Sequence, residues 1–464
     1  MRQKIVAGLC AGLLTLSTAP LTANAHDVHK LNNKIETLEA QLRELKAAVD
    51  REVQSRQASD ADLSGKVAAA VREAEVAKTL PQVAANERIE SNLKLFGNTS
   101  LNYGGYIRVN GIFDDFSDGP RPGGGTATAD RILVPGSIPV GSEVDDGTTF
   151  NSDVATSRFF FKTASETAAG TIRSYVELDF LDPGGNEAVS NSNGARIRHA
   201  SLSWDYSDTA SLTVGQTWGT FFNVGALPDE VDFIGPTSGS LFNRQQQIRW
   251  TKKLNGGGSI MLAAENPSVS LDDGGSGIAS ALIDDSSYPD LVARYNGKSG
   301  SHQYAVSVIA RDIAFDDGVT DESEIGFGFN WAGKFNINPA NEIKYSLTTG
   351  TVGRYLALLA FRDGAIDADG NLDLATTTGG YLSWKALISP KWSSVLTAAL
   401  SRGNLANGVA DTTTEEISNF NASIFYNPTS KLRFGGGIIQ ANRELENGLD
   451  GDLTRLQFMS RYVF

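Results

Sequence analysis

The 464-residue chain predicts an all-β fold class, a transmembrane β-barrel of about sixteen antiparallel strands preceded by an α-helical coiled coil. Three observations carry this reading. Short segments of alternating apolar and polar residues recur from about residue 93 onward, separated by clusters of Gly, Asp, Asn and Ser. Their connections alternate between short ones, such as 165–170 and 205–209, and long ones, such as 117–154 and 312–324, as when turns lie on one side of a membrane and loops on the other. The last segment sets Leu456, Phe458, Tyr462 and Phe464 on one face and Arg455, Gln457 and Arg461 on the other, so the chain closes on an aromatic at an apolar strand face.

Taken in chain order, Arg2 and Lys4 precede an apolar stretch from Ile5 to about Leu16 and a small-x-small site at Ala23-Asn24-Ala25. Residues 1–25 therefore read as an export signal, too short in its apolar core to span a bilayer. Cys10, the single cysteine, leaves with it, and the formal net charge falls from −14 to −16. Residues 26–92 read as a coiled coil and linker. Val28, Ile35, Leu42 and Val49 hold one seam position and Leu31, Leu38 and Leu45 the other, among Lys30, Lys34, Glu36, Glu39, Arg43, Glu44 and Lys46. So narrow an apolar seam has to be covered by a partner helix, which predicts self-association. β-Branched residues at the first position with Leu at the second lean towards two strands, so the seam alone leaves the stoichiometry open. Residues 54–88 remain helix-prone, with a weaker stripe of Leu63, Val67 and Val71, until Pro81.

Residues 93–464 carry the alternating segments, among them 105–113, 158–163, 171–180, 212–217, 245–251, 290–295, 342–347 and 454–464. In the third, Ile172, Val176, Leu178 and Phe180 oppose Arg173, Tyr175, Glu177 and Asp179. Period two alone fits a soluble sandwich as well as a barrel. Aromatics near segment ends (Trp204, Tyr206, Trp331, Phe335, Trp384 and Trp392) favour the barrel, where they would form interfacial girdles against lipid.

The segment Gly105-Tyr106-Ile107-Arg108-Val109-Asn110-Gly111-Ile112-Phe113-Asp114 is followed by Ser157-Arg158-Phe159, Arg196-Ile197-Arg198-His199-Ala200, Gly353-Arg354-Tyr355, Pro428 after Asn421, and terminal Phe464. With the signal and coiled coil ahead of it, this series resembles the DcaP family of outer-membrane porins over nearly the whole chain. The resemblance implies a homotrimer of sixteen-stranded barrels in the bacterial outer membrane, its coiled coil in the periplasm, passing small anionic solutes such as dicarboxylates.

In such a barrel the inward side chains decide what passes. Alternation puts Arg108, Arg158, Arg173, Arg196, Arg198, Arg249, Arg294 and Arg311 inside, a ladder of guanidinium groups suited to carboxylates, with Glu177, Asp179 and Asp290 as candidate partners that would reduce them to lumen lining. Bulges near His199 and Gly215 would exchange the two faces locally. The Gly-rich stretch 218–242, with Asp229, Glu230 and Asp232, sits where an inward, pore-narrowing loop is expected, and its carboxylates facing an Arg wall would set up a transverse field.

Other classes are less well served. The histidines left after signal cleavage are His26, His29, His199 and His302, and neither of the last two has a Ser, Asp or Asn motif around it, so no catalytic residues are expected. Asp367, Asp369, Asn371 and Asp373 alternate as hard-cation ligands do, but the closing Glu of a calcium loop is missing, and no metal or cofactor is expected. The acidic total argues against nucleic acid. The alternative to a channel is a barrel-anchored cell-envelope tether or adhesin whose working part is the coiled coil.

Overall fold

The structure, a computed structural model, describes residues 98–464 except 123–127, 143–146, 183–190, 273–281 and 284, together with the strand Ser91–Lys94 and eight helical residues between 36 and 54. Every seam residue of the expected coiled coil lies outside the described residues. Of residues 26–53, those described, including Glu36, Arg43 and Lys46, are helical and exposed. No helix among the described residues is long and apolar enough to cross a membrane.

Sixteen antiparallel strands close on themselves. The first quarter is β1 (Thr99–Phe116), β2 (Arg158–Thr167), β3 (Gly170–Asp182) and β4 (Gly194–Ser207). Then follow β5 (Ala210–Trp218), β6 (Arg244–Lys253), β7 (Ser259–Glu265) and β8 (Asp290–Ser299). The third quarter is β9 (His302–Asp316), β10 (Asp321–Asn338), β11 (Asn341–Gly350) and β12 (Thr376–Ser389). The last is β13 (Trp392–Asn404), β14 (Thr414–Tyr426), β15 (Leu432–Leu445) and β16 (Asp450–Val463). β16 pairs with β1 from Tyr106↔Val463 to Phe116↔Leu453, which removes both sheet edges. On its other side β1 pairs with β2 and, farther up, with the separate strand Thr149–Asp153.

Even-numbered strands lead into tight turns at one end, where Thr99 and Phe464 also lie, and odd-numbered strands lead into the loops at the other. The connection expected to be long at 312–324 is a four-residue turn, 317–320, because β9 and β10 continue pairing out to Asp316↔Asp321. Side chains alternate as a membrane barrel requires. On β16, Leu456, Phe458 and Tyr462 are exposed while Arg455, Gln457 and Arg461 are buried inside. Of the expected girdle residues, Trp204, Tyr206, Phe335, Trp384 and Trp392 are exposed on the outside near the tight turns, while Trp331, also exposed, sits nearer the middle of β10.

The apolar core sits beneath the loops, inside the barrel. Phe221, Phe222 and Leu241 of the loop 219–243 pack on Val352, Tyr355, Leu356 and Phe361 of the loop 351–375 and on inward-facing Ala263, Val292 and Ile309. The two loops meet through a bridge between Leu241 and Leu356, and through Ala357 donating its N–H to the Ser240 carbonyl at 3.0 Å. There Ala357, Leu358 and Leu359 take left-handed φ values of 54°, 55° and 68°. Such a conformation costs about 1–2 kcal/mol per non-glycine residue, so the surrounding packing must hold it.

Candidate functional site

One irregularity disturbs the inner face. Glu177 pairs with His199 but Leu178 pairs with Ile197, so Arg198 is an extra residue in β4. This bulge turns both Arg198 and His199 inward while Ile197 stays exposed to the outside. At Gly215, the other place where a bulge was expected, the pairing with β4 and β6 runs on without a shift, although φ is +116°.

Around the bulge, basic side chains outnumber acidic ones. Arg198 donates from Nε to Glu177 Oε1 and from Nη1 to Asp179 Oδ2, both at 2.9 Å, and Arg196 grips Asp179 bidentately, also at 2.9 Å. Arg158 lies 3.9 Å from Glu177, close enough for charge but not for a hydrogen bond. The ring of Phe233, on the loop 219–243, lies under the guanidinium groups of Arg158, Arg198 and Arg108 at 4.6, 5.4 and 5.9 Å, and Arg244 covers Trp218 at 4.8 Å. Arg158 Nε, Arg198 Nη2 and Arg244 Nη1 have no hydrogen-bond partner. His199 is wedged between the ring of Tyr175 and Thr217 Oγ1, 3.0 Å from Nδ1.

The loop 219–243 lies along the inner wall. Arg294 donates to the Phe222 carbonyl at 2.8 Å and to Asn223 Oδ1 at 2.9 Å, Lys344 to the Leu227 carbonyl at 2.8 Å, and the Tyr381 hydroxyl to the Ala226 carbonyl at 3.0 Å. Farther along, Val231 donates its N–H to Ser423 Oγ at 3.1 Å, and its carbonyl accepts from Arg108. The three loop carboxylates have different settings. Asp229 pairs with Arg433; burial works against its ionisation, but Arg433, then Arg461 and Lys385, outweigh this and hold the carboxyl well below the usual range. Glu230 accepts from Asn421 Nδ2, leaves Oε1 unpartnered, and is pushed up by burial to about 7, with Asp232 and Asp229 acting in the same direction. Asp232 accepts the backbone N–H groups of Leu133 and Ile234 at 3.0 and 2.9 Å and lies 3.9 Å from Arg455.

The remaining expected residues are dispersed. Arg311 is fully buried and committed to structure: it grips Asp363 through both oxygens at 2.6 and 3.1 Å, donates to the Thr351 and Ser268 carbonyls, and lies 3.6 Å from Asp290. Asp290 also accepts from the Tyr355 hydroxyl. Arg249 faces inward with Nε unpartnered. Arg173 lies apart near the tight turns, half exposed and paired with Asp205.

Several inward cations lie outside the expected ladder: Arg244, Arg433, Arg455, Arg461 and Lys344. Strict alternation was a usable signal for Arg433, between exposed Phe434 and a tight turn, and for Arg455 and Arg461 on the terminal strand. Asp114, which holds Arg455 at 2.6 and 2.8 Å, carries the same parity as Arg108 on β1.

Known proteins fit this geometry. A family model described as DcaP outer membrane protein matches residues 22–464. The outer membrane channel DcaP of Acinetobacter baumannii superposes with a TM-score of 0.67 at 17% identity, over 81% of this chain and 100% of that one. An anion-selective porin from Comamonas acidovorans superposes at 0.50 and 10% identity, over 79% of this chain and 100% of that one. No curated protein sequence matches it. A closed sixteen-stranded wall, apolar outside and charged within, together with a family match over almost the full length, makes this chain a porin-like outer-membrane barrel and a member of the DcaP outer membrane protein family.

Proposed function

We propose that the barrel is a diffusion channel favouring small anions, dicarboxylates among them, narrowed by the loop 219–243, and that it works as a homotrimer whose N-terminal coiled coil lies in the periplasm. The observation that carries this reading is the group at Phe233, where Arg158, Arg196, Arg198 and Arg244 share two carboxylates and three guanidinium N–H groups lack partners. Guanidinium keeps its charge at every relevant pH and matches a carboxylate with a planar fork, so a surplus of it favours anions although the whole chain is acidic. The trimer rests on the family likeness; the apolar seam between residues 28 and 49 calls for a partner helix but does not fix how many.

Reversal potentials across a planar bilayer in a KCl gradient test it. We expect anion selectivity, reduced several-fold in permeability ratio by R158Q with R244Q, two arginines not bidentately bound to carboxylates. A cation preference in the unaltered protein overturns the reading.

A further inference from the structure

The charges inside and around the barrel are sorted along its axis. From residue 98 onward the chain has nine lysines, and each lies in a tight turn or a few residues from one. Lys298, Lys334, Lys344 and Lys385 point inward there, joined by Arg433 and Arg461. The carboxylates at this end are fewer: Glu342, 3.9 Å from Lys344, the loop residue Asp229 on Arg433, and, on β2 and β4, Glu166 and Asp205, the latter paired with Arg173. Lys298 and Lys334 line a cavity of about 350 Å³ beneath the loop 219–243, with Asn223, Asn296 and Tyr304, so these ammonium groups border water-accessible space.

The opposite end has the inverse composition. Its connections contain no lysine and only Arg121, Arg131, Arg354 and Arg362, against a large excess of Asp and Glu. Two of those arginines are engaged within the loops: Arg121 pairs with Asp130 at 2.7 Å, and Arg354 stacks on Tyr355. The carboxylates of the β9–β10 turn, Asp316, Asp317 and Asp321, are exposed, and Thr320 beside them approaches Gly370 of the Asp367–Asp369 turn. Backbone N–H groups of Thr320 and Val319 hold Asp317 below the usual carboxylate range, and those around Asn371 do the same for Asp367, so this mouth stays negative in mildly acidic medium.

We propose that this axial separation, a lysine-lined vestibule at the tight-turn end and a carboxylate-rich mouth at the loop end, makes the channel a rectifier that conducts better when the loop side is positive. With that polarity cations are driven into the acidic mouth and anions into the basic vestibule, and both accumulate within the pore. With the reverse polarity both are withdrawn, and the conducting segment is depleted. The Debye length is about 10 Å at 0.1 M salt and about 3 Å at 1 M, so fixed charge controls a lumen of molecular width at the lower salt and loses control at the higher. The inference rests on the proposed channel being open, and it concerns the asymmetry of the current rather than which ion dominates.

The test is single-channel recording of the full chain at 0.1 M and 3 M KCl with both polarities. Orientation is assigned by one-sided reaction of a bulky impermeant thiol reagent with V319C, at a position 93% exposed in the β9–β10 turn of a chain with no cysteine after the signal. We expect the current ratio at equal and opposite voltage to be about twofold in 0.1 M KCl and near one in 3 M. K298Q with K334Q and K385Q should bring the low-salt ratio close to one while leaving the 3 M conductance unchanged, which shows the pore to be intact. Symmetric currents at 0.1 M, or the opposite sign, overturn the inference even if the channel is anion-selective. A cation-selective reversal potential with rectification intact overturns the anion reading and leaves this one standing. An absence of any conductance overturns both.

Discussion

The two ends of the barrel are built by different rules. At the tight-turn end the strands are joined by short turns, the outside carries the aromatic girdle, and the inward cations are mostly lysines set by alternation alone. At the loop end, the segments 219–243 and 351–375 fold inward, and the inward cations are arginines, of which Arg311 and Arg455 are bound to carboxylates from distant parts of the chain. Lysine, strongly hydrated on a flexible stem, suits a wet vestibule. Guanidinium, planar and weakly hydrated, suits the drier packing under the loops.

The largest effect should come from cutting an arginine at the packed end. Arg311→Met leaves Asp363 and Asp290 buried without their partner and should cost about 3–5 kcal/mol, read as a lowered urea midpoint of the detergent-solubilised barrel. A companion Lys334→Met at the wet end should move that midpoint little, and equal losses would break the comparison. Next comes the outside: Leu382→Arg, at mid-height on β12, should cost about 2–4 kcal/mol, whereas Trp392→Arg in the girdle should cost about 0–1 kcal/mol. A flat depth profile would mean that the exposed belt does not face hydrocarbon.

A smaller effect concerns Glu230. Its carboxyl is raised by burial from 4.5 to about 7, so the folded state holds the proton more firmly than the unfolded chain does. The stability this provides is fully present below about 4.5, declines as pH rises, and is gone above about 7. Current fluctuations from a loosened loop should therefore increase between pH 5 and 8, and Glu230→Gln should abolish that dependence; an unchanged profile in the variant refutes the assignment. The smallest effect belongs to Arg402, exposed on the outer rim against Glu415. Arg402→Ala should leave both the urea midpoint and the selectivity unchanged, since solvent screens the pair.

Alternation made the wall legible, because a strand with lipid on one side and water on the other must keep period two. Ile172, Val176 and Phe458 could be assigned outward, and Arg108 and Glu177 inward, without knowing what lay across from them. Partnerships were not legible. Arg311 and Asp363 are 52 residues apart, and nothing local distinguishes an arginine that anchors a loop from one that meets a solute. The inward lie of 351–375 was hidden for a related reason: Tyr355-Leu356-Ala357-Leu358-Leu359 is read locally as helix or strand, and only contacts with 219–243 hold its left-handed turn. The turn 317–320 was overestimated because Asp, Gly and Thr near 316–321 look like loop composition even where backbone pairing persists.

The absence of lysine from the long connections also bears on assembly. When an outer-membrane barrel inserts, those connections are the parts hauled through the hydrocarbon, while the tight turns stay on the side of origin. At the bilayer midplane a lysine or arginine costs about 2–4 kcal/mol and a carboxyl group less, since it can cross protonated. Sorting the ammonium groups to the trailing end lowers the barrier to translocation in the same stroke that polarises the finished pore.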